Sequence, residues 1–341
     1  MTLTDELLKS FNQYYQSVIE AHIRPQPMFD QMLSYHLGWK DPAGNPANYS
    51  RGKQIRPLLA LLSCGASGGD PQNALPLAIA IELLHNFSLI HDDIMDVSDL
   101  RRGRETVWKI WGVNQAINTG DGAYGLSFQL LAEAENADPA SLVYAQRILS
   151  KACVDTVYGQ MLDLSFEDRE DVQPEEYNEM TGLKTGPLIG AALGGGALFA
   201  GADWNQAQTL AANGRELGVI FQMQDDILGI WGKPEETGKS VSDDLAARKK
   251  SYPMIWALEH LSQPEQERLR HLYHQTPPLP EVVTSEIRSI LTAAGVREAV
   301  SQDAQERYAH LMATLEALYP KASPYRDALF NIVAFIVKRT H

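Results

Sequence analysis

Ile79, Leu83, Leu84, Phe87, Ile90 and Ile94 recur at intervals of three and four residues, the spacing of one continuous apolar helix face. Pro76 suits the first turn of that helix, where its missing N–H costs nothing. The same periodicity predicts helices over 5–23, 52–65, 120–136, 141–166, 207–231, 252–262 and 325–339. Alternating strand patterns are scarce, and no Asn-Gly or Asp-Gly pair joins two β-branched runs, so no hairpin is expected. Breaks rich in Gly, Pro, Asp or Ser fall at Gly38–Ser50, Gly65–Asn73, Asp99–Arg104, Gly232–Ser242 and Gln275–Pro280. None is long enough to separate the chain into independent domains. The expectation is an all-α protein, one domain over residues 1–341, with about ten or more helices.

The chain has 341 residues, 43 acidic against 29 Lys plus Arg, and a net charge of −14. That surplus argues against a nucleic-acid partner and against adsorption to an anionic membrane face. Gly186–Ala202, the longest weakly polar run, holds six glycines and reads as a buried helix that lets neighbours approach closely, so no membrane span is expected. Two cysteines without ligand spacing suit a reducing cytosol, and no apolar leader opens the chain; a cytoplasmic protein is expected.

Two acidic interruptions carry the chemistry. His91-Asp92-Asp93-Ile94-Met95-Asp96 closes the most apolar helix, with Asp92 and Asp96 four apart on one face. Like charges at a helix C-terminus are a local cost that a bound cation reverses. Two carboxylates plus substrate phosphate oxygens are what Mg²⁺ accepts. The second is Phe221-Gln222-Met223-Gln224-Asp225-Asp226-Ile227-Leu228-Gly229, in which Asp225 is expected to be the ligand and Asp226 its support. Cations cluster as Arg51-Gly52-Lys53-Gln54-Ile55-Arg56, Arg101-Arg102-Gly103-Arg104, Lys184-Thr185, Lys239, and Arg248-Lys249-Lys250. Arg and Lys placed beside Asp clusters suit a metal-bridged polyanion. Gly232 to Gly238-Lys239-Ser240 is no phosphate loop, because five residues separate its glycines and no strand precedes it. His85 and His91 beside these acids suit zinc less well than the oxygen-rich set suits Mg²⁺.

Together these motifs resemble the trans-isoprenyl diphosphate synthases, over roughly 60% of the chain from Gly52 to Pro253. The matched series is Gly52-Lys53-x-x-Arg56-Pro57, Leu84 to Asp93, Asp96, Arg101-Arg102-Gly103, Gly159-Gln160-x-x-Asp163-Leu164, Lys184-Thr185, Phe221-Gln222-x-x-Asp225-Asp226, Gly238-Lys239, Asp244 and Lys249 to Pro253. The resemblance implies the isoprenoid synthase fold, helices around a central apolar cavity. It implies that Asp92, Asp96 and Asp225 hold three Mg²⁺ ions, and that Arg101, Lys184, Lys239 and Lys249 contact the allylic diphosphate. It assigns Gly52, Lys53, Arg56, His85 and Arg102 to isopentenyl diphosphate, and places Thr185 and Gln222 against the reacting carbons. It also suggests a homodimer.

Three positions depart from the family pattern: Arg51 for a second glycine, Trp108 for a frequent histidine, and Gly229 for the last aspartate of the second motif. For product length, Phe87 lies five residues before Asp92, about 7.5 Å down the helix, with Ser88 beside it. An aromatic there resembles short-chain enzymes, and the expected product is geranylgeranyl (C20) or farnesyl (C15) diphosphate. A class I terpene cyclase would need no Lys53, Arg56 and His85 together. A non-catalytic subunit of a heteromeric synthase would usually have lost acid motifs that are kept here.

Overall fold

The computed structural model describes residues 2–134, 137–166, 169, 171–232 and 243–337. Among these residues there are sixteen α-helices and one two-stranded ribbon. The helices are α1 Leu3–Ile23, α2 Pro27–His36, α3 Ile55–Ala66, α4 Leu75–Met95, α5 Val107–Trp111, α6 Val113–Ala132, α7 Pro139–Phe166 and α8 Pro174–Lys184. They continue as α9 Gly186–Leu198, α10 Trp204–Trp231, α11 Asp243–Ala246, α12 Tyr252–His260, α13 Gln263–Tyr273, α14 Glu281–Ala293, α15 Val296–Leu318 and α16 Pro324–Val337. The all-α expectation holds.

Residues 1–153, 190–211 and 321–329 form one compact unit; 154–189, 212–320 and 330–341 form a second. In the first, α4 is buried along most of its length, including Leu77, Ile79, Ile81 and Leu83, and packs against α3 and α6. α1 buries Leu7, Phe11, Tyr15, Ile19 and Ile23, one residue per turn. In the second, Tyr177, Met223, Ile227, Met254, Leu269, Ile287 and Val300 share one core.

Several helix ends explain where the sequence pattern stops. The stretch expected from residue 52 becomes helical only at Ile55, because Gly52 (φ +77°) and Gln54 (φ +48°) are left-handed. The expected start at 120 lies seven residues late: α6 begins at Val113, just after Gly112 at φ +85°. Thr2 caps α1 through a reciprocal bond with Asp5. The Gly232–Ser242 break lies, from residue 233 onward, outside the described residues.

The ribbon corrects the expectation of no hairpin. β1 Leu100–Arg101 pairs antiparallel with β2 Arg104–Glu105. Its turn residues, Arg102 and Gly103, both have positive φ (52° and 75°), as a type I′ turn requires. An arginine in place of asparagine hid the turn.

α9 is buried and small-sided, as expected of 186–202. A Cβ at Gly190 or Gly194 would strike the carbonyl oxygen of Ala211 or Ala207, and one at Gly196 that of Ala60. One segment, Pro71–Met95, is long and apolar enough to cross a bilayer, yet 67% of its apolar window is buried inside the fold. Gly194→Val should overpack the α9–α10 contact within the first unit and cost about 2 kcal/mol. The urea midpoint of unfolding measures it, and an unchanged midpoint would remove the close-packing role of Gly194.

Candidate active site

The first unit gathers one group of cations. α4 ends in a Schellman arrangement: Val97 N–H donates to Ile94 O (3.2 Å) and Ser98 N–H to Asp93 O (2.9 Å). Val97 is left-handed (φ +50°), a rare state for a β-branched residue, directly after the Asp92–Asp96 motif. The turn sends the chain back so that Arg101 Nε donates to Asp93 Oδ1 at 2.8 Å. Asp93 is 2% exposed, and its Oδ2 is buried without a partner. Burial pushes its carboxyl up to about 6, against the opposing pull of Arg101. Asp92 is half-buried and Asp96 exposed.

Around this ion pair, a pocket of about 260 Å³ is lined by Tyr35, His36, Arg101, Arg102, Arg104 and Thr106, among others. Gly52 is indispensable in form: its φ is +77°, and a Cβ would come within 2.9 Å of the Arg102 guanidinium. Behind it Glu82 is 4% exposed, and burial raises its carboxyl against the fields of Arg56 and Arg102. His85 is held well below its ordinary value by burial and then by Arg56, Arg102 and Arg101. Of the residues expected to face isopentenyl diphosphate, Gly52, Arg56, His85 and Arg102 thus share one field, while Lys53 is exposed beside Gly52.

Sequence reasoning missed His36, and it placed Arg104 in a cation cluster without giving it a role of its own. Arg104 lies 5.0 and 4.5 Å from the ring centres of Tyr35 and Tyr49 and donates to Tyr35 O (2.8 Å). His36 is pushed down to about 3 by burial first and then by Arg101, Arg102 and Arg104. Two departures from the family pattern gain a structural role here. Arg51 Nη1 donates to Asn12 Oδ1 (3.2 Å), tying the loop to α1. Trp108 Nε1–H donates to Ser98 O (2.9 Å), bracing the chain after α4.

The second unit builds its own group on Asp226, which is fully buried. Its carboxylate accepts from Tyr177 Oη (2.7 Å), Gln222 Nε2 (2.9 Å), Lys249 Nζ (3.2 Å) and Tyr252 N (2.8 Å). Four donors satisfy a charge that burial would otherwise penalise. Lys249, also 3.8 Å from Asp244, is held above its ordinary value chiefly by Asp226. Lys184, at the end of α8, pairs with Asp163 at 2.5 Å. Lys184, Thr185, Gln222, Lys249 and Asp163 line one cavity of about 300 Å³ with Tyr177 and Asp226. A Cβ at Gly159 would strike the backbone of Lys184, so this glycine lets α7 lie against the end of α8.

Asp225 precedes Asp226 on α10 and is half-buried; Lys239 lies outside the described residues. At Gly229, where the pattern expects an aspartate, a side chain would collide with the Asp244 carboxylate, which fills that space. Tyr177 and Asp163 are the partners that sequence reasoning left without a role. Among the described residues no three His, Cys, Asp or Glu side chains gather into a metal cage. Asp92 and Asp96 on one helix face remain a donor set of the kind Mg²⁺ uses when phosphate oxygens complete its shell.

The polyprenyl synthetase pattern matches residues 43–290. This chain belongs to that family, the trans-isoprenyl diphosphate synthases. It is 41% identical over 258 residues to (2E,6E)-farnesyl diphosphate synthase of Mycobacterium tuberculosis, covering 76% of this chain and 69% of that one. Geranylgeranyl diphosphate synthase of the same organism is 38% identical over 284 residues, 83% of this chain and 80% of that one. Among solved structures, polyprenyl synthetase from Streptomyces coelicolor superposes with a TM-score of 0.88 at 37% identity, over 98% of this chain and 99% of that one. The isoprenoid synthase fold expected from the motifs is therefore the fold of this synthase.

The buried neutral His36 has a consequence for stability. Its folded value lies below the unfolded one, near 6.5, so the unfolded chain takes up the proton first as pH falls. Its contribution is complete at neutral pH and is lost on acidification from about 6.5 toward 3. Between pH 7 and pH 5 the wild type should lose about 1–2 kcal/mol more than His36→Gln. Urea unfolding at the two pH values checks this; parallel losses in both proteins would contradict it.

Proposed function

We propose that this short-chain trans-prenyl diphosphate synthase joins isopentenyl diphosphate to an allylic diphosphate, with a C20 or C15 product. The observation that carries the reading is the gathering of Gly52, Arg56, His85 and Arg102 in one positive field. A cyclase, which takes no isopentenyl diphosphate, has no use for it. Lys184 and Lys249, each fixed by a carboxylate, are suited to a second, allylic diphosphate.

In the proposed reaction the allylic carbon–oxygen bond breaks and the diphosphate leaves with the electron pair. The π electrons of isopentenyl diphosphate form the new carbon–carbon bond. A proton lost from the adjacent carbon to the released diphosphate restores a double bond. Lys184, Lys249, Arg101 and Lys239 hold the leaving group by charge, and Asp226 keeps Lys249 protonated and aimed. Thr185 and Gln222 lie against the reacting carbons, and the Asp226 bond fixes the Gln222 amide so that its oxygen is left for the cation. Asp92, Asp96 and Asp225 would hold Mg²⁺, which supplies neutralisation of the diphosphate charge; the proposal includes three such ions. The cation is kept from water in an apolar cavity.

Phe87 is proposed as the floor under the growing chain. Its ring meets His91 (4.7 Å) and Tyr124 (5.4 Å), and Tyr124 meets Phe128 (5.1 Å), an edge-on aromatic cluster between α4 and α6. Ser88 turns its hydroxyl to His85 O (2.9 Å), leaving a small side chain beside that floor. A homodimer in the cytoplasm, acting as one catalytic domain, completes the proposal. Val154, Val157, Tyr158 and Met161 leave an exposed apolar stripe at helical spacing on α7, suited to a second copy.

Purified protein with Mg²⁺, isopentenyl diphosphate and each allylic primer in turn should yield linear prenyl diphosphates, seen by chromatography after dephosphorylation. Cyclic hydrocarbon formed without isopentenyl diphosphate would replace this reading with a cyclase, and turnover only on adding another chain would make it a subunit. Phe87→Ala should shift the distribution toward longer chains by one or more five-carbon units; an unchanged distribution would remove the floor.

A further inference from the structure

The second unit carries another cationic cleft, outside the cavity of Lys184 and Asp226. Arg169, Arg248, Lys250 and Arg270 are among the residues that line it. Met254, Ile255 and Tyr273, each 6% exposed or less, line it as well. Such a mixed lining suits a ligand that has both a charged end and an apolar body.

The charges are unequally matched. Arg169 is already neutralised, by Asp171 (2.9 Å) and by a two-pronged grip on Glu176 (2.7 and 3.0 Å). Arg248 is different. Its backbone is left-handed (φ +57°), and its Nε is buried with no hydrogen-bond partner. A ligand oxygen at this position would meet that buried donor. Lys250 Nζ stands 5.8 Å from the centre of the Tyr273 ring, and Arg270 is exposed at the rim. A single carboxylate would match only one of Arg248 and Arg270. A diphosphate brings several acceptor oxygens and more than one charge.

We propose that this cleft is a second diphosphate site, taking a prenyl diphosphate whose apolar chain runs along Met254, Ile255 and Tyr273. The class of chain rests on the function proposed above, since such molecules are that reaction's substrates and products. The site is wired to the first cavity of the unit: Lys250 lines both, and Tyr273 Oη donates to Lys249 O at 3.0 Å. An occupant therefore presses on the segment that presents Lys249 to Asp226. None of Asp92, Asp96 and Asp225 lines the cleft, and the proposal is that its arginines hold the diphosphate without a divalent cation.

Calorimetric titration of the full chain in EDTA tests this apart from any turnover. Farnesyl diphosphate should bind wild type and Arg102→Gln alike, and bind Arg270→Glu and Arg248→Gln about tenfold or more weakly. Arg270 is exposed, so its charge reversal leaves the core intact, and an unchanged circular dichroism spectrum checks that. Inorganic diphosphate, lacking the chain, should bind wild type about tenfold more weakly than farnesyl diphosphate. Equal affinity of wild type and Arg270→Glu would overturn the site, and equal affinity for the two probes would overturn its apolar half. Arg270-dependent binding in a protein that shows no condensation would keep the site and reject the proposed reaction.

Discussion

A carboxylate removed from water has to be met by cations and donors, and this chain places one such carboxylate in each acidic motif. Asp93 is buried against Arg101, and Asp226 against Lys249, Gln222, Tyr177 and the Tyr252 amide. In both motifs the neighbouring acid is less buried: Asp92 beside Asp93, Asp225 beside Asp226. Each pair of adjacent aspartates therefore has two tasks. One member fixes the basic residues, and the other, nearer solvent, is the one proposed to meet a metal ion.

The cations fixed in this way share a surplus of positive charge. In the first unit Glu82 faces the fields of Arg56 and Arg102, and burial together with the same arginines holds His85 neutral. Neutral histidines among arginines keep the local charge from growing further. Such an arrangement is costly without an anion, and in the proposed function an incoming diphosphate balances it. In the second unit Lys184 and Lys249 are held by Asp163 and Asp226, and Asp244 takes the space that Gly229 leaves open. The glycine in the second motif is thus matched by a carboxylate fifteen positions later in the chain.

Helix type and the positions of the acid motifs were legible because both are local. A 3.6-residue period shows α4 without any partner, and two aspartates four apart share a face wherever the helix lies. The hairpin at Leu100–Glu105 escaped because its left-handed turn is filled by Arg102-Gly103, a pair whose use depends on what Arg102 touches at Gly52. α2 escaped as well, and with it Tyr35 and His36, since its ten residues carry little periodic signal. Tyr177 lies 49 residues from Asp226, and Asp163 lies 21 from Lys184; only folding pairs them. Arg51 and Trp108 read as departures in the sequence, whereas their bonds to Asn12 and Ser98 show them bracing the loops around the cations.

The account turns on the cations of the first unit being held in place for a diphosphate. Thermal unfolding in EDTA, with and without isopentenyl diphosphate, tests this most directly, because a ligand that binds only the folded state raises the midpoint with its concentration. The midpoint of the wild type should rise with added isopentenyl diphosphate, and that of Arg102→Gln should rise by clearly less. A wild-type midpoint that does not move, or an equal rise in Arg102→Gln, would contradict the account.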